Sequence, residues 1–136
     1  MAVVLDVNVF VSAALSKAGA PHTLVQAMRD GQLEVIVSPL LLAELDEVLR
    51  RPMFRRFFTL EEVDQLLEEI ARICEVVPDP EPGAAVLRDA DDDYLVYLAR
   101  HVGAEFIVSG DADLTDADID PPAITPRAAL DTFEIR

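Results

Sequence analysis

Short apolar runs alternate with helix-like segments along this chain, and no other feature of the sequence constrains the fold as strongly. A short, continuous apolar run is typical of a strand that is covered on both faces. Strands and helices in alternation predict a parallel sheet between helices. We therefore predict a three-layer α/β/α fold with a central, mostly parallel sheet of four or five strands. The predicted strands are Ala2–Leu5, Leu33–Val37, Glu75–Val77 and Glu105–Val108.

Capping residues and glycines delimit the helices between these strands. Ser38 is a typical N-cap, and Thr59 followed three residues later by Glu62 fits a capping box. The proline-rich tail after Asp120 predicts at most a short edge strand and a final helical turn. The predicted helices run over Pro21–Asp30, from the Ser38 cap and Pro39 through Leu40 to Arg50, from the Thr59 cap to about Ile73, and from Asp91 or Asp92 to His101 before Gly103.

The length and composition predict one compact domain that spans residues 1–136. Hydrophobic residues make up 51% of the chain, enough to form a core. No apolar run approaches the ~20 residues of a membrane-spanning helix, and no basic region precedes the first apolar stretch. We therefore expect a soluble, cytoplasmic protein with no membrane association. Cys74, His22 and His101 are too few for a structural zinc site, so any metal must be held by oxygen.

A net charge of −15 argues against binding to a polyanion, because nucleic-acid-binding proteins usually carry a basic surface. One segment is an exception, since four of the eleven basic residues fall within seven positions. These residues are Arg50, Arg51, Arg55 and Arg56. They predict a local RNA-binding patch, and the alternative is an ordinary solvated helix end and loop.

One helical carboxylate falls where a solvated charge is not expected. At about 100° per residue, the leucines of the predicted helix over residues 40–50 form one apolar face, and Glu44 lies within that arc. Asp46 and Glu47 lie outside it. A buried carboxylate is costly unless it is paired, hydrogen-bonded or bound to metal, so Glu44 is a candidate site residue.

Three consecutive aspartates begin the next amphipathic helix. Asp91 and Asp92 flank its apolar stripe, whereas Asp93 is predicted to point away from the core. The first two could be helix caps favoured by the helix dipole, or residues of a site. We assign Asp92 to the site and Asp91 to the cap.

Two further carboxylates follow predicted strands. Asp6 and Asp111 come at the carboxyl edge of the sheet, where open α/β sheets bind ligands, although either alone could be a turn residue. With Glu44 and Asp92 they would repel one another by a few kcal/mol per close pair at an effective dielectric of about 20, so a cation is needed. Oxygen ligands favour Mg²⁺, Mn²⁺ or Ca²⁺. Such ions assist in-line phosphoryl displacement.

Four segments, in this order and over nearly the whole chain, resemble the PIN-domain family. They are VVLDVNVFVSA, SPLLLAELDEVLRRP, RDADDDYLVYLA and FIVSGDADL. They are similar to that family's first Asp with an Asn two residues on, its helical Glu, its third acidic residue opening a helix, and its Ser/Thr-x-Asp. The resemblance is closest to the toxin components of toxin–antitoxin systems, which are described as VapC-like.

The resemblance implies a metal-dependent ribonuclease that uses Mg²⁺ or Mn²⁺, is often dimeric, and is inhibited by an antitoxin inserted into its acidic groove. Asn8 would orient the first carboxylate, while Ser109 and Asp113 would support the site. The implied catalytic residues and metal ligands are Asp6, Glu44, Asp92 and Asp111.

The sequence departs from the family pattern at two places. Val7 stands where the family often has Thr, which removes a supporting hydrogen bond. The run of three aspartates allows the third ligand to be either of two adjacent residues, so Asp91 is the alternative to Asp92. Asp89 and Asp116 match no role and are interpreted as solvent-exposed charges.

Other functions match the pattern less well. A phosphoaspartate receiver needs a lysine at a late strand end, but the single Lys17 lies elsewhere. A haloacid-dehalogenase-like phosphatase needs Asp-x-Asp, and Asn8 stands in place of the second Asp. The remaining alternative is a catalytically weak PIN-fold interaction module that binds an antitoxin or a second copy of itself.

Overall fold

The computed structural model describes residues 2–84, 86–87 and 90–136. Within these ranges, no helix is both long and apolar enough to cross a bilayer. The strands are β1 (Ala2–Leu5), β2 (Glu34–Val37), β3 (Glu75–Val76), β4 (Phe106–Val108) and β5 (Ala123–Ile124). The helices are α1 (Val7–Leu15), α2 (Ala20–Arg29), α3 (Pro39–Leu49), α4 (Leu60–Ile73), α5 (Asp93–Val102), α6 (Ala112–Thr115) and α7 (Pro126–Thr132), with 3₁₀ turns at Pro52–Phe54 and Ala90–Asp92.

All strand pairs in the sheet are parallel, and the strand order is β3-β2-β1-β4-β5. The central strand is β1, in which Val3 lies opposite Val35 of β2 and Phe106 of β4. Val3, Val4 and Leu5 are fully buried, as expected for a strand covered on both faces. Five parallel strands flanked by helices confirm the predicted α/β fold class.

The strand order places two chain segments side by side. From β1 the chain adds β2 and β3 on one side, and it later adds β4 and β5 on the other. The carboxyl ends of β1 and β4 are therefore adjacent where the strand order reverses, which is where ligands bind in open α/β sheets. Asp6 follows β1, and the segment Ser109 to Asp111 follows β4.

Local signals fix the helix ends as the sequence predicts. Ser38 Oγ accepts the Leu41 N–H (3.3 Å) at the start of α3. Thr59 and Glu62 form the predicted capping box of α4. Gly103 ends α5 at a φ of 68°, a conformation that glycine adopts without steric cost.

The helix α1 was not predicted. Its sequence VNVFVSAAL contains three valines, and β-branched residues are more typical of strands. Burial of Val7, Val9 and Phe10 in the core outweighs this weak local preference. The tail also forms more helix than the single turn predicted, because Thr125 caps α7 and Leu130 is buried.

Candidate active site

Asp6 lies at the carboxyl end of β1, in the one-residue connection to α1. Its backbone N–H donates to the Val108 carbonyl (2.9 Å), which fixes the residue against β4. The side chain makes no capping hydrogen bond to α1 and is only 6% exposed. Helix capping therefore does not explain why this carboxylate is buried at the crevice.

A small hydrogen-bond network orients the Asp6 carboxylate. Ser109 Oγ donates to Asp6 Oδ2 (2.8 Å), and Asn8 Nδ2 donates to the same oxygen (3.1 Å). The Asn8 side-chain oxygen accepts the Gly110 N–H (3.0 Å), which ties α1 to the loop after β4. Ser109 is fully buried, and its hydroxyl also accepts the Asp111 N–H (3.0 Å). The three side chains therefore hold the two strand ends together.

Glu44 lies on α3 and is half-buried. The apolar face of this helix is narrower than predicted, since Leu40 is 53% exposed and Leu41 is fully buried. Glu44 lies at the edge of that face, where the Tyr94 hydroxyl of α5 donates to its Oε2. Burial, followed by this hydrogen bond to Glu44, raises the pKa of Tyr94 above its ordinary value. The hydroxyl therefore stays protonated and acts as a donor.

Asp111 begins α6 beside the same crevice and is half-buried. Its Oδ1 accepts the Asp113 N–H (2.9 Å), which fixes one carboxylate oxygen. The Asp113 side chain is exposed. Asp113 therefore supports Asp111 through its backbone and not through its carboxylate.

The run of three aspartates divides among three environments. Asp92 lines the same cleft as Asp6 and Glu44. Asp91 lies in the 3₁₀ turn before α5 and lines a neighbouring cavity. The prediction that Asp91 caps α5 is wrong, because the cap position falls on Asp92, whose side chain makes no capping hydrogen bond.

Asp93 does not point to solvent as predicted, since it is only 4% exposed. Its oxygens accept the N–H groups of Val86 (3.2 Å) and Leu87 (2.7 Å), so it fastens the preceding loop to α5. Helical periodicity cannot reveal this contact, because the loop it holds is irregular. Asp116 is exposed as expected, and Asp89 lies outside the described residues.

The four candidate carboxylates line one cleft of about 350 Å³. They are Asp6, Glu44, Asp92 and Asp111. Burial raises the pKa of Asp6 above its ordinary value, and the charges of Glu44 and Asp111 add to this, while the Ser109 hydrogen bond lowers it. A metal-free cleft therefore disfavours the full set of negative charges.

The donor set of the cleft fits a hard divalent cation. Among the residues that the structure describes, its acidic groups are all carboxylates, and neither histidine nor cysteine lines it. Among the described residues, no three acidic, histidine or cysteine side chains stand close enough together to enclose an ion. Mg²⁺ usually keeps several waters and takes only one or two protein carboxylates, so a complete protein cage is not required. The cleft therefore suits a divalent cation held partly through water.

Two of the four arginines predicted to bind RNA are engaged within the protein. Arg50 forms ion pairs with Asp46 (2.6 Å) and with Asp64. Arg55 donates to the Leu49 carbonyl at the end of α3. These contacts stabilise the end of α3 and leave the two guanidinium groups less free to bind a phosphate.

The other two arginines have different surroundings. Arg51 is exposed and lines the carboxylate cleft, so it brings a positive charge to the edge of an acidic site. The Arg56 guanidinium lies 4.9 Å from the centre of the exposed Phe57 ring. The predicted patch is therefore split between helix packing and two accessible cations.

Sequence reasoning missed Tyr94, which donates to Glu44 and lines the neighbouring cavity with it. Its position directly after the aspartate run gave a weak signal, since a tyrosine at the start of a helix is more often part of the core. It also missed that Arg51 faces the carboxylates and not a separate surface. Both facts depend on how helices distant in the sequence are placed beside one another, and no local pattern reports that placement.

Comparisons with known proteins match nearly the whole chain. An uncharacterized protein of Methanocaldococcus jannaschii is 28% identical over 113 residues, which cover 82% of this chain and 72% of that protein. A chain in the crystal structure of VapBC2 from Rickettsia felis bound to a DNA fragment from their promoter superposes with a TM-score of 0.62. The match covers 92% of this chain and 98% of that chain at 14% identity, so it supports the fold alone.

The model of the PIN domain family matches residues 2–113. This range includes all four carboxylates of the cleft and the Asn8 and Ser109 side chains that orient Asp6. Since the match spans most of the sequence, the chain belongs to the PIN domain family, whose members are typically nucleases.

Proposed function

We propose that this protein is a divalent-metal-dependent endoribonuclease, and that it is the toxin component of a type II toxin–antitoxin pair. The observation that carries the proposal is the meeting of four carboxylates in one cleft at the carboxyl edge of a parallel sheet. So much negative charge, partly buried, is costly unless a cation is bound. The proposed ligands and catalytic residues are Asp6, Glu44, Asp92 and Asp111.

Two of the proposed ligands are oriented by neighbouring hydrogen-bond donors. Asp6 is the ligand held most firmly, because Ser109 and Asn8 both donate to its Oδ2. Tyr94 orients Glu44 in the same way. When bound, Mg²⁺ or Mn²⁺ lowers the pKa of a coordinated water and stabilises charge on the phosphoryl oxygens.

The proposed partner is an antitoxin that covers the acidic groove. A second cavity of about 510 Å³ adjoins the cleft, since Glu44 lines both, and carboxylates of Glu47, Asp79 and Asp91 also line it. A groove with this charge attracts basic side chains of a partner. The similarity to a chain of a VapBC2 assembly supports such a pairing. A homodimer and a cytoplasmic location belong to the same proposal.

The alternative is an interaction module with weak or no catalysis. It is favoured by one observation, namely that no three ligand side chains among the described residues are close enough to enclose an ion. Under this alternative, divalent metal would neither raise the melting temperature nor support cleavage of RNA.

The test is cleavage of a mixed RNA substrate with Mg²⁺, Mn²⁺ or EDTA, comparing wild type with Asp6→Asn and Glu44→Gln. We expect metal-dependent cutting by wild type and its loss in both variants. The exposed residue Asp116 gives a matched control, because Asp116→Asn removes the same charge outside the cleft. Equal cutting by all four proteins, or none by any, would favour the interaction module.

A further inference from the structure

We propose that Phe57 and the cations beside it form a second RNA contact site, outside the carboxylate cleft, in which the ring stacks on a base and Lys17 and Arg56 hold adjacent phosphates. This inference rests on the proposed nuclease function and names where its substrate is held. The site begins at Arg51 on the edge of the cleft.

Phe57 is an aromatic ring with an accessible surface. It is 49% exposed, whereas Phe10 is 2% exposed, and Phe54 and Phe58 are half-buried and stacked on one another at 5.8 Å. The Arg56 guanidinium 4.9 Å from the Phe57 ring centre adds a positive charge at the same place. Exposed aromatic rings with neighbouring cations are how proteins hold unstacked bases.

Phe57 separates two hollows on the surface. One, of about 350 Å³, is lined by Lys17, Leu49 and Phe58 on the side of α1 and α4. The other, of about 700 Å³, is lined by Met53 and the segment leading to Phe57. The Glu62 carboxylate also lines the first hollow and accepts the Thr59 N–H (3.0 Å). A planar base therefore has room beside the ring.

The cations around this site are free to bind an anion. Among the described residues, the side chains of Lys17 and Arg51 make no hydrogen bond or ion pair. Arg50, by contrast, is held by two carboxylates. On a protein with a net charge of −15, unpaired cations at this part of the surface provide a local attraction for phosphate.

The hollow and the cleft are close to each other because the same two helices line both. On α1, Val11 lines the cleft, and Ala14, three residues later on the same face of the helix, lines the hollow together with Lys17 just beyond the helix end. On α3, Val48 lines the cleft and Leu49 lines the hollow. Residues one turn apart along a helix are separated by about 5.4 Å. A strand of RNA held in the cleft can therefore pass directly into the hollow.

A second copy of the chain is the other occupant that exposed apolar groups could suggest. Met53 and Leu60 are also exposed, at 64% and 48%. A two-fold contact would use the same surface on both copies, and there the cations Lys17, Arg55 and Arg56 outnumber the one carboxylate that lines the two hollows, Glu62. Repulsion between these like charges disfavours such a dimer, whereas the phosphates of RNA complement them.

The sequence contains no tryptophan, so Phe57→Trp introduces a single tryptophan, whose fluorescence can be excited selectively, at the proposed site. Binding is measured in an Asp6→Asn background in EDTA, with a mixed-sequence RNA oligonucleotide, so that no cleavage occurs. We expect stacking to quench the fluorescence of Phe57→Trp. The same oligonucleotide should leave Ile73→Trp unquenched, because Ile73 is exposed at the far end of α4.

The RNA affinities of variants at and near Phe57 distinguish an RNA contact from a dimer contact. We expect Phe57→Ala to weaken RNA binding by about 5- to 150-fold, as measured for loss of a stacked base, while Phe57→Tyr retains affinity. Lys17→Ala should reduce the salt dependence of binding and Arg50→Ala should not. Unchanged affinity in Phe57→Ala, or a dimer that dissociates in Phe57→Ala at unchanged RNA affinity, would overturn the inference. Because the assay needs no catalysis, failure of the nuclease proposal would appear separately, as absent metal-dependent cutting by wild type.

Discussion

Ionisation of Asp6 is unfavourable when no metal is bound in the cleft. Burial raises its pKa above the ordinary value of 3.8, and the charges of Glu44 and Asp111 add to the effect. The folded protein therefore binds this proton more tightly than the unfolded chain does. For such a group, the free energy of unfolding falls as the pH rises from the unfolded pKa to the folded pKa.

Replacing Asp6 with Asn removes this cost and keeps the side-chain shape. We expect Asp6→Asn to raise the melting temperature of the metal-free protein at neutral pH. The exposed control Asp116→Asn should change the free energy of unfolding by no more than about 0.5 kcal/mol. A melting temperature in EDTA that is lower for Asp6→Asn than for wild type would contradict the explanation.

Two tyrosines of α5 offer a matched pair. The Tyr94 hydroxyl donates to Glu44, whereas the Tyr97 hydroxyl donates to the Gly83 carbonyl (2.9 Å). We expect Tyr94→Phe to lower metal-dependent cleavage about 10- to 100-fold, because Glu44 loses the donor that orients it. Tyr97→Phe should leave cleavage near the wild-type rate. Equal losses in both variants, measured at equal folded fraction, would show that Tyr94 acts only through the packing of α5.

Cys74 is a free thiol that the fold protects. It is 7% exposed, and burial, with the charge of Glu69, raises the pKa of its thiol to about 12. The reactive thiolate is therefore rare at mildly alkaline pH. We expect iodoacetamide to label Cys74 only after the protein is unfolded in urea, as measured by mass spectrometry. Rapid labelling of the folded protein would mean that the junction of α4 and β3 opens readily.

Among the elements, the start of α5 depends on Asp93. This buried carboxylate accepts the N–H groups of Val86 and Leu87, and its removal leaves both donors without that acceptor. We expect Asp93→Ala to lower the free energy of unfolding by about 1.5 to 3 kcal/mol in urea titrations. Asp118→Ala, which removes an exposed carboxylate, is the control. If the two variants are equally stable, Asp93 does not hold the loop.

The elements that could be predicted carry their own boundary signals. The capping box of Thr59 and Glu62 and the stop at Gly103 are local, so the sequence alone placed α4 and the end of α5. The helix α1 could not be predicted in this way, because its valines favour a strand locally. Contacts of Val9 and Phe10 with the rest of the core decide its conformation.

For the whole molecule, the topology of the sheet decides how much of the site can be predicted. Asp6 and Asp111 could be paired from sequence, because parallel strands bring their carboxyl ends to one edge. The third acidic ligand could be narrowed to two adjacent residues, Asp91 and Asp92. The contact of Tyr94 with Glu44 and the position of Arg51 at the cleft could not be predicted, since they depend on how helices distant in the sequence are placed beside one another.

The charge of the whole molecule is compatible with a nucleic-acid substrate only if charge is unevenly distributed. The net charge of −15 repels phosphate in general, and the carboxylate cleft adds to this repulsion. Bound cations in the cleft and the free side chains of Lys17, Arg51 and Arg56 would reverse it locally. Binding of RNA in the cleft should therefore depend on divalent metal, and its binding to the side chains outside the cleft should depend on salt concentration.

The measurement that tests the central claim most directly follows RNA cleavage and melting temperature together, in the same samples, as Mn²⁺ is titrated. We expect both to rise over the same range of Mn²⁺ concentration in wild type and neither to rise in Asp6→Asn. Cleavage that persists in Asp6→Asn, or stabilisation by Mn²⁺ that does not need Asp6, would contradict the assignment of this cleft as the metal-dependent active site.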